Sequence, residues 1–140
     1  MRQKLNLITL GVADVDRSAK FFEDLGWKKS GASVDGLALF PLGGIVLALH
    51  PRHDLASDVG VPAEGSGFSG ITISYNARSE EEVNDVMKAV QNLGATIVKP
   101  AQNVYWGGYS GYFKDFDGHL FEVAHNPFWE LDKNDNLNLP

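Results

Sequence analysis

Residues 6–12 alternate between two sides of an extended chain, with Leu7, Thr9 and Gly11 on one and Ile8, Leu10 and Val12 on the other. Asp14 then offers an N-cap for a helix that keeps Val15, Ala19, Phe22 and Leu25 on one side and stops at Gly26. Three extended pieces follow, at residues 27–34, 37–41 and 45–50. The order then recurs. Residues 71–75 read as a strand, and Ser79 with Glu82 forms a capping box. Val83, Val86, Met87, Val90 and Leu93 return every three or four residues until Gly94 ends the helix. Extended segments are expected again at residues 96–99, 109–114 and 119–124. Each half therefore reads β-α-β-β-β, an α+β pattern.

The halves also match in letters. "LITL" stands beside "GITI", each helix ends in Leu-Gly, and "GIVLALHP" stands beside "GHLFEVAHNP". A repeat of this kind builds two modules that complete one core. Residues 1–140 are read as a single domain, with module 1 at about 5–50, a linker rich in Asp, Gly, Pro and Ser at about 51–68, and module 2 at about 69–125. In the tail, 126–140, Phe128 and Trp129 are expected to pack and the end to be loosely held.

Charge and composition narrow the partners. Twelve basic against eighteen acidic residues give a net charge of −6, with no basic cluster to follow a phosphate backbone, so nucleic acid is not an expected partner. The chain has no cysteine, which excludes disulfides and thiolate ligands. Its longest apolar run, residues 36–49, carries Pro41 and falls short of the roughly 20 residues a spanning helix needs. No membrane association is expected, and a cytoplasmic location is the default reading.

Chemistry concentrates in "GGYSGYFKDFDGHLFEVAHNP", residues 107–127. Much of it is hairpin: Asp115 to Gly118 is turn chemistry between two aromatic-rich strands. Glu122 exceeds that requirement, because it sits between Phe121 and Val123 in an otherwise apolar strand, where a carboxylate is rarely placed without a partner.

The paired βαβββ halves, the opening "LGVADVDRSAKFFEDLGW" and the closing "DFDGHLFEVAHNP" resemble the vicinal oxygen chelate superfamily of glyoxalases, bleomycin-resistance proteins and extradiol dioxygenases. Over "WGGYSGYFKDFDGHLFEVAHNPFW" the chain is most similar to a glyoxalase-related subgroup. The resemblance implies a curved, cup-shaped mixed sheet with helices on its outer face, a small-molecule pocket in the cup and a homodimer. It also implies a metal held by the first and last strands of each module. Seven residues before Asp14, where a histidine ligand is usual in the family, this chain has Leu7. The letter match places the other three positions at Ala48, Gly70 and Glu122, so only Glu122 can donate. No metal cofactor is therefore expected; a divalent ion, were one bound, would take Glu122 and His50.

The cup is expected to be lined by small or hydroxylated residues, Thr9, Thr72 and Ser74 among them, with His50 on the same face and Tyr105, Trp106, Tyr109 and Tyr112 as walls. His119 and His125 should face away from Glu122. A carboxylate in such a lining is suited to general acid or base work. Two functions follow. One is a glyoxalase-like lyase or isomerase in which Glu122 moves a proton while Thr9, Thr72 or His50 orients the substrate oxygen. The other is a metal-free, non-catalytic binder of the bleomycin-resistance kind that sequesters an aromatic or cationic compound.

Overall fold

The computed structural model describes residues 1–139 and divides into two units, Met1–Ser69 and Gly70–Pro140. Among the described residues the fold is mixed α+β with three helices.

In the first unit, β1 (Leu7–Val12) runs into α1 (Val15–Asp24), and Asp14 caps the helix by accepting from the Arg17 N–H at 2.9 Å. Beyond α1 come β2 (Ala38–Pro41) and β3 (Val46–Pro51). The sheet order is β1-β3-β2, with β1 parallel and β2 antiparallel to β3. A parallel pair needs a crossover, and α1 with the segment after it supplies one. Phe22, Phe40, Leu49 and Val12 are fully buried, and the Phe22 ring stacks on Trp27 at 4.9 Å. Each such side chain contributes roughly 1.5–3 kcal/mol by burial.

Two expectations for this unit are corrected. Residues 27–34 form no strand; apart from an isolated bridge between Val34 and Leu37 they make a loop whose polar groups are met locally. The Ser30 N–H donates to the Leu39 carbonyl at 2.8 Å, and the Leu39 N–H donates to Ser33 Oγ at 3.0 Å. That loop thus satisfies the outer side of β2 without a ladder. The linker stretch holds a helix, α2 (Arg52–Val59), which directly follows β3, has no side-chain cap and ends on Gly60. It buries no residue, so it leaves no apolar stripe in the sequence.

In the second unit, β4 (Ile73–Asn76) precedes α3 (Glu80–Asn92), followed by β5 (Thr96–Asn103), β6 (Tyr109–Lys114) and β7 (Leu120–His125). The order is β4-β7-β6-β5, with β4 parallel to β7 and the other pairs antiparallel. The capping box forms: Ser79 Oγ accepts from the Glu82 N–H at 3.1 Å, and Glu82 reaches back to the Arg78 N–H at 2.7 Å. Val83, Met87 and Val90 on α3 are buried, as are Val123, Phe113 and Phe121, the last two stacked at 5.0 Å. Contact between helix and sheet is close enough that a Cβ at Gly111 would lie 2.8 Å from Met87 Cε and 2.9 Å from the Ala101 nitrogen.

The turn between β6 and β7 is held by Asp115, whose Oδ1 accepts from the N–H groups of Asp117 and His119, each at 2.9 Å. Desolvation raises the Asp115 pKa above the ordinary aspartate value, against the lowering effects of His119 and these hydrogen bonds. The tail is more ordered than its composition suggests. Strands β8 (Glu130–Leu131) and β9 (Leu137–Asn138) form a hairpin, and Arg78 Nε donates to Asp135 Oδ1 at 2.9 Å. Phe128 and Trp129 remain 68% and 44% exposed, so the expected packing of these two rings is only partial.

Candidate functional site

Side chains alternate on β6 and β7, and the helix face is fixed by α3. Phe121, Val123, Phe113 and Gly111 lie toward that helix, which leaves Glu122 and Tyr112 on the opposite face. Ser74, Glu122, Tyr112 and Lys99 are successive cross-strand partners over β4, β7, β6 and β5. Ser74 Oγ donates to Glu122 Oε2 at 2.9 Å. The Tyr112 phenol is pushed above its ordinary pKa by burial first, then by its hydrogen bond to Glu122, by the Glu122 charge and by Tyr105. Glu122 is thus half-buried between two hydroxyl groups. The Ser74 hydroxyl donates to the carboxylate, and the Tyr112 phenol stands opposite it on the next strand.

The remaining predicted residues take several positions. Tyr105 is fully exposed in the turn before β6. Trp106 lies across Gly108, where an added Cβ would come within 1.8 Å of the ring. Tyr109 stands on the helix face, donating its hydroxyl to Asn84 Oδ1 at 2.8 Å, and is not brought together with Glu122. His125 pairs with Tyr109 on that same face, its Nδ1 3.2 Å from the Ala77 carbonyl. Thr72 is exposed just before β4. In the first unit, Thr9 is paired with Ala48. His50 is held at the end of β3, with Nδ1 2.9 Å from the Gly36 carbonyl and Nε2 3.8 Å from Asp58 Oδ2.

The ladders revise the correspondence between the halves. Ala48 pairs with Thr9 on β1, and Glu122 pairs with Ser74 on β4. The helix caps agree, since Asp14 follows Thr9 by the same five residues that separate Ser79 from Ser74. Leu7 therefore corresponds to Thr72, two residues beyond the Gly70 of the letter match. Counting from the caps rather than aligning letters would have found Ser74 as the residue beside Glu122.

A family profile described as "Glyoxalase/Bleomycin resistance protein/Dioxygenase superfamily" matches residues 4–123. The chain belongs to this superfamily. It is 28% identical to a metallothiol transferase FosB of Staphylococcus saprophyticus over 123 residues, 88% of this chain and 77% of that protein. It is also 28% identical to FosB of Lysinibacillus sphaericus, over 86% of this chain and 80% of the relative. The crystal structure of a glyoxalase-related enzyme from Fulvimarina pelagi shares 32% identity and superposes with a TM-score of 0.87, covering 98% of both chains. The α+β architecture is that of the glyoxalase fold.

The metal implied by the family resemblance does not fit the residues present. With the corrected register its four positions are Leu7, Ala48, Thr72 and Glu122, of which two are hydrocarbon and one a neutral hydroxyl. Among the described residues no three His, Cys, Asp or Glu side chains are grouped to hold an ion. No helix among them is long and apolar enough to cross a membrane.

Proposed function

We propose that this chain is a glyoxalase-related enzyme in which Glu122 acts as general base and acid on a small carbonyl- or hydroxyl-bearing substrate, without a bound metal. The observation that carries this reading is the cross-strand row of Ser74, Glu122 and Tyr112 on the face of the second sheet away from α3, with the serine hydroxyl bonded to the carboxylate. A carboxylate bonded there by the Ser74 hydroxyl and flanked by the Tyr112 phenol is held in orientation. Its neighbours can take up or release hydrogen bonds as its charge changes. Ser74 and Tyr112 orient the base, and the exposed Tyr105 offers an aromatic surface for the substrate. Likeness to the Fulvimarina pelagi glyoxalase-related enzyme supports the class. Two relatives are named metallothiol transferase, but the donor set at the corresponding positions argues against a metal-dependent reaction here.

The test uses hydroxyacetone in deuterated water, with exchange of its α-protons followed by NMR. Wild type should accelerate exchange, and Glu122→Gln should abolish the acceleration while retaining affinity for hydroxyacetone. Equal acceleration by the variant would overturn the reading.

A second reading, the non-catalytic binder, is favoured by the wholly exposed Tyr105 beside Tyr112 on a chain of net charge −6. An aromatic cation such as benzyltrimethylammonium would then bind with no turnover of any carbonyl compound. A homodimer belongs to both readings and is tested by sedimentation equilibrium.

A further inference from the structure

The end of the second sheet and the C-terminal hairpin border an open cleft of about 250 Å³ that the Glu122 row does not use. Arg78, His125, Asn126, Trp129, Glu130 and Leu131 border it. His125 lies on the helix face of β7, whereas Glu122 lies on the other, so the sheet itself separates this cleft from the proposed catalytic row.

Its lining is polarised. Arg78 is fixed in orientation, because Nε donates to Asp135 Oδ1 at 2.9 Å and one Nη donates to the Asp132 carbonyl at 2.7 Å. The second Nη is left for another acceptor. Asn126 spends its Oδ1 on the Phe128 N–H at 2.9 Å and keeps its amide NH2 group. Trp129 adds an indole N–H. Among the described residues nothing engages that N–H, the Asn126 NH2 or the carboxylate of Glu130. The residues that carry these three donors and the unpaired carboxylate line the same space, together with Leu131.

Charge decides the ligand class. Asp135 already balances Arg78, so a simple anion would gain little there and would meet repulsion from Glu130. A simple cation would find Glu130 but leave the donors of Arg78, Asn126 and Trp129 unmet. We propose that this cleft binds a small α-amino acid. Its carboxylate takes the guanidinium and amide donors, its ammonium faces Glu130, and its apolar side chain lies on Trp129. The volume suits a ligand of that size.

The experiment is an NMR titration of the full chain with L-leucine and with its two halves, 4-methylpentanoate and 3-methylbutylamine. L-leucine should give saturable shifts at Ala77, Arg78 and residues 125–131, with each half binding at least about tenfold more weakly. Glu130→Gln, at an exposed side chain with no bonded partner, should fold normally and weaken L-leucine about tenfold without weakening 4-methylpentanoate. Glu122→Gln should leave the L-leucine titration unchanged, which keeps this site independent of the catalytic reading. Absence of saturable shifts with L-leucine would overturn the proposal. So would a half-ligand binding as tightly as the whole, or Glu130→Gln binding L-leucine as the parent does.

Discussion

Ser74 and Glu122 face each other across β4 and β7, joined by a hydrogen bond of 2.9 Å from the serine hydroxyl to the carboxylate. Glutamine at position 122 can still accept that bond and can donate to the Tyr112 oxygen. Glu122→Gln should therefore shift the unfolding midpoint by no more than about 3 °C. Ser74→Ala should cost about 0.5–1.5 kcal/mol in the parent and less in the Glu122→Gln background. Equal losses in the two backgrounds, measured by urea unfolding, would mean that the carboxylate charge adds nothing to the bond, and no loss in the parent would mean that the bond itself contributes nothing.

Asp115 gives a pH signature. Its folded-state pKa is raised, chiefly by desolvation, so its contribution to stability is present below the ordinary aspartate pKa and is lost as the pH rises through the folded value. Asp115→Asn removes that titration. The variant's stability relative to the parent should become more favourable between about pH 3 and pH 7. Calorimetry at several pH values checks the sign, and a difference that moves the other way would show that the turn hydrogen bonds outweigh desolvation.

Tyr75 is pushed up to about 12 by burial first, then by its hydrogen bond to Glu82 and the Glu82 charge. Its stabilising effect is present below the ordinary tyrosine value and disappears as the pH passes through the raised one. Phenolate absorbance should show one of the four tyrosines ionising last, and Glu82→Gln should bring that step to lower pH. An unchanged alkaline step would remove Glu82 as a cause.

Arg78 and Asp135 are both largely exposed, so their ion pair should add less than about 1 kcal/mol to global stability. Its effect should be local. In Arg78→Ala the amides of residues 130–138 should exchange faster while those of α3 keep their protection. Unchanged exchange in the hairpin would show that other contacts hold it.

The elements readable from the sequence were those with two independent signals. Both long helices carry a capping side chain and an apolar stripe, and both run within a residue or two of the bounds that those signals predict. Neither signal marks α2, which has no side-chain cap and buries nothing. Residues 27–34 look extended because they are mixed in polarity, yet Ser30 and Ser33 close a loop onto Leu39, a distant bond that no local pattern announces. Glu122 was conspicuous as a charge in an apolar strand. Its pairing with Ser74 was not, since matching "GITI" to "LITL" set the rows two residues out of step. Tyr109 and Tyr112 were indistinguishable until α3 fixed which side of β6 each takes.

The loop closed by Ser30 and Ser33 bears on how the protein behaves at high concentration. Leu39 is the residue of β2 whose N–H and carbonyl turn away from β3, and both are already occupied; Pro41, the next residue with that orientation, has no N–H to offer. A stray strand approaching this margin of the sheet meets no free donor from which to begin a ladder. Ser33→Ala would release the Leu39 N–H, and faster fibril formation at unchanged thermal stability is the outcome to look for in a shaken, concentrated solution.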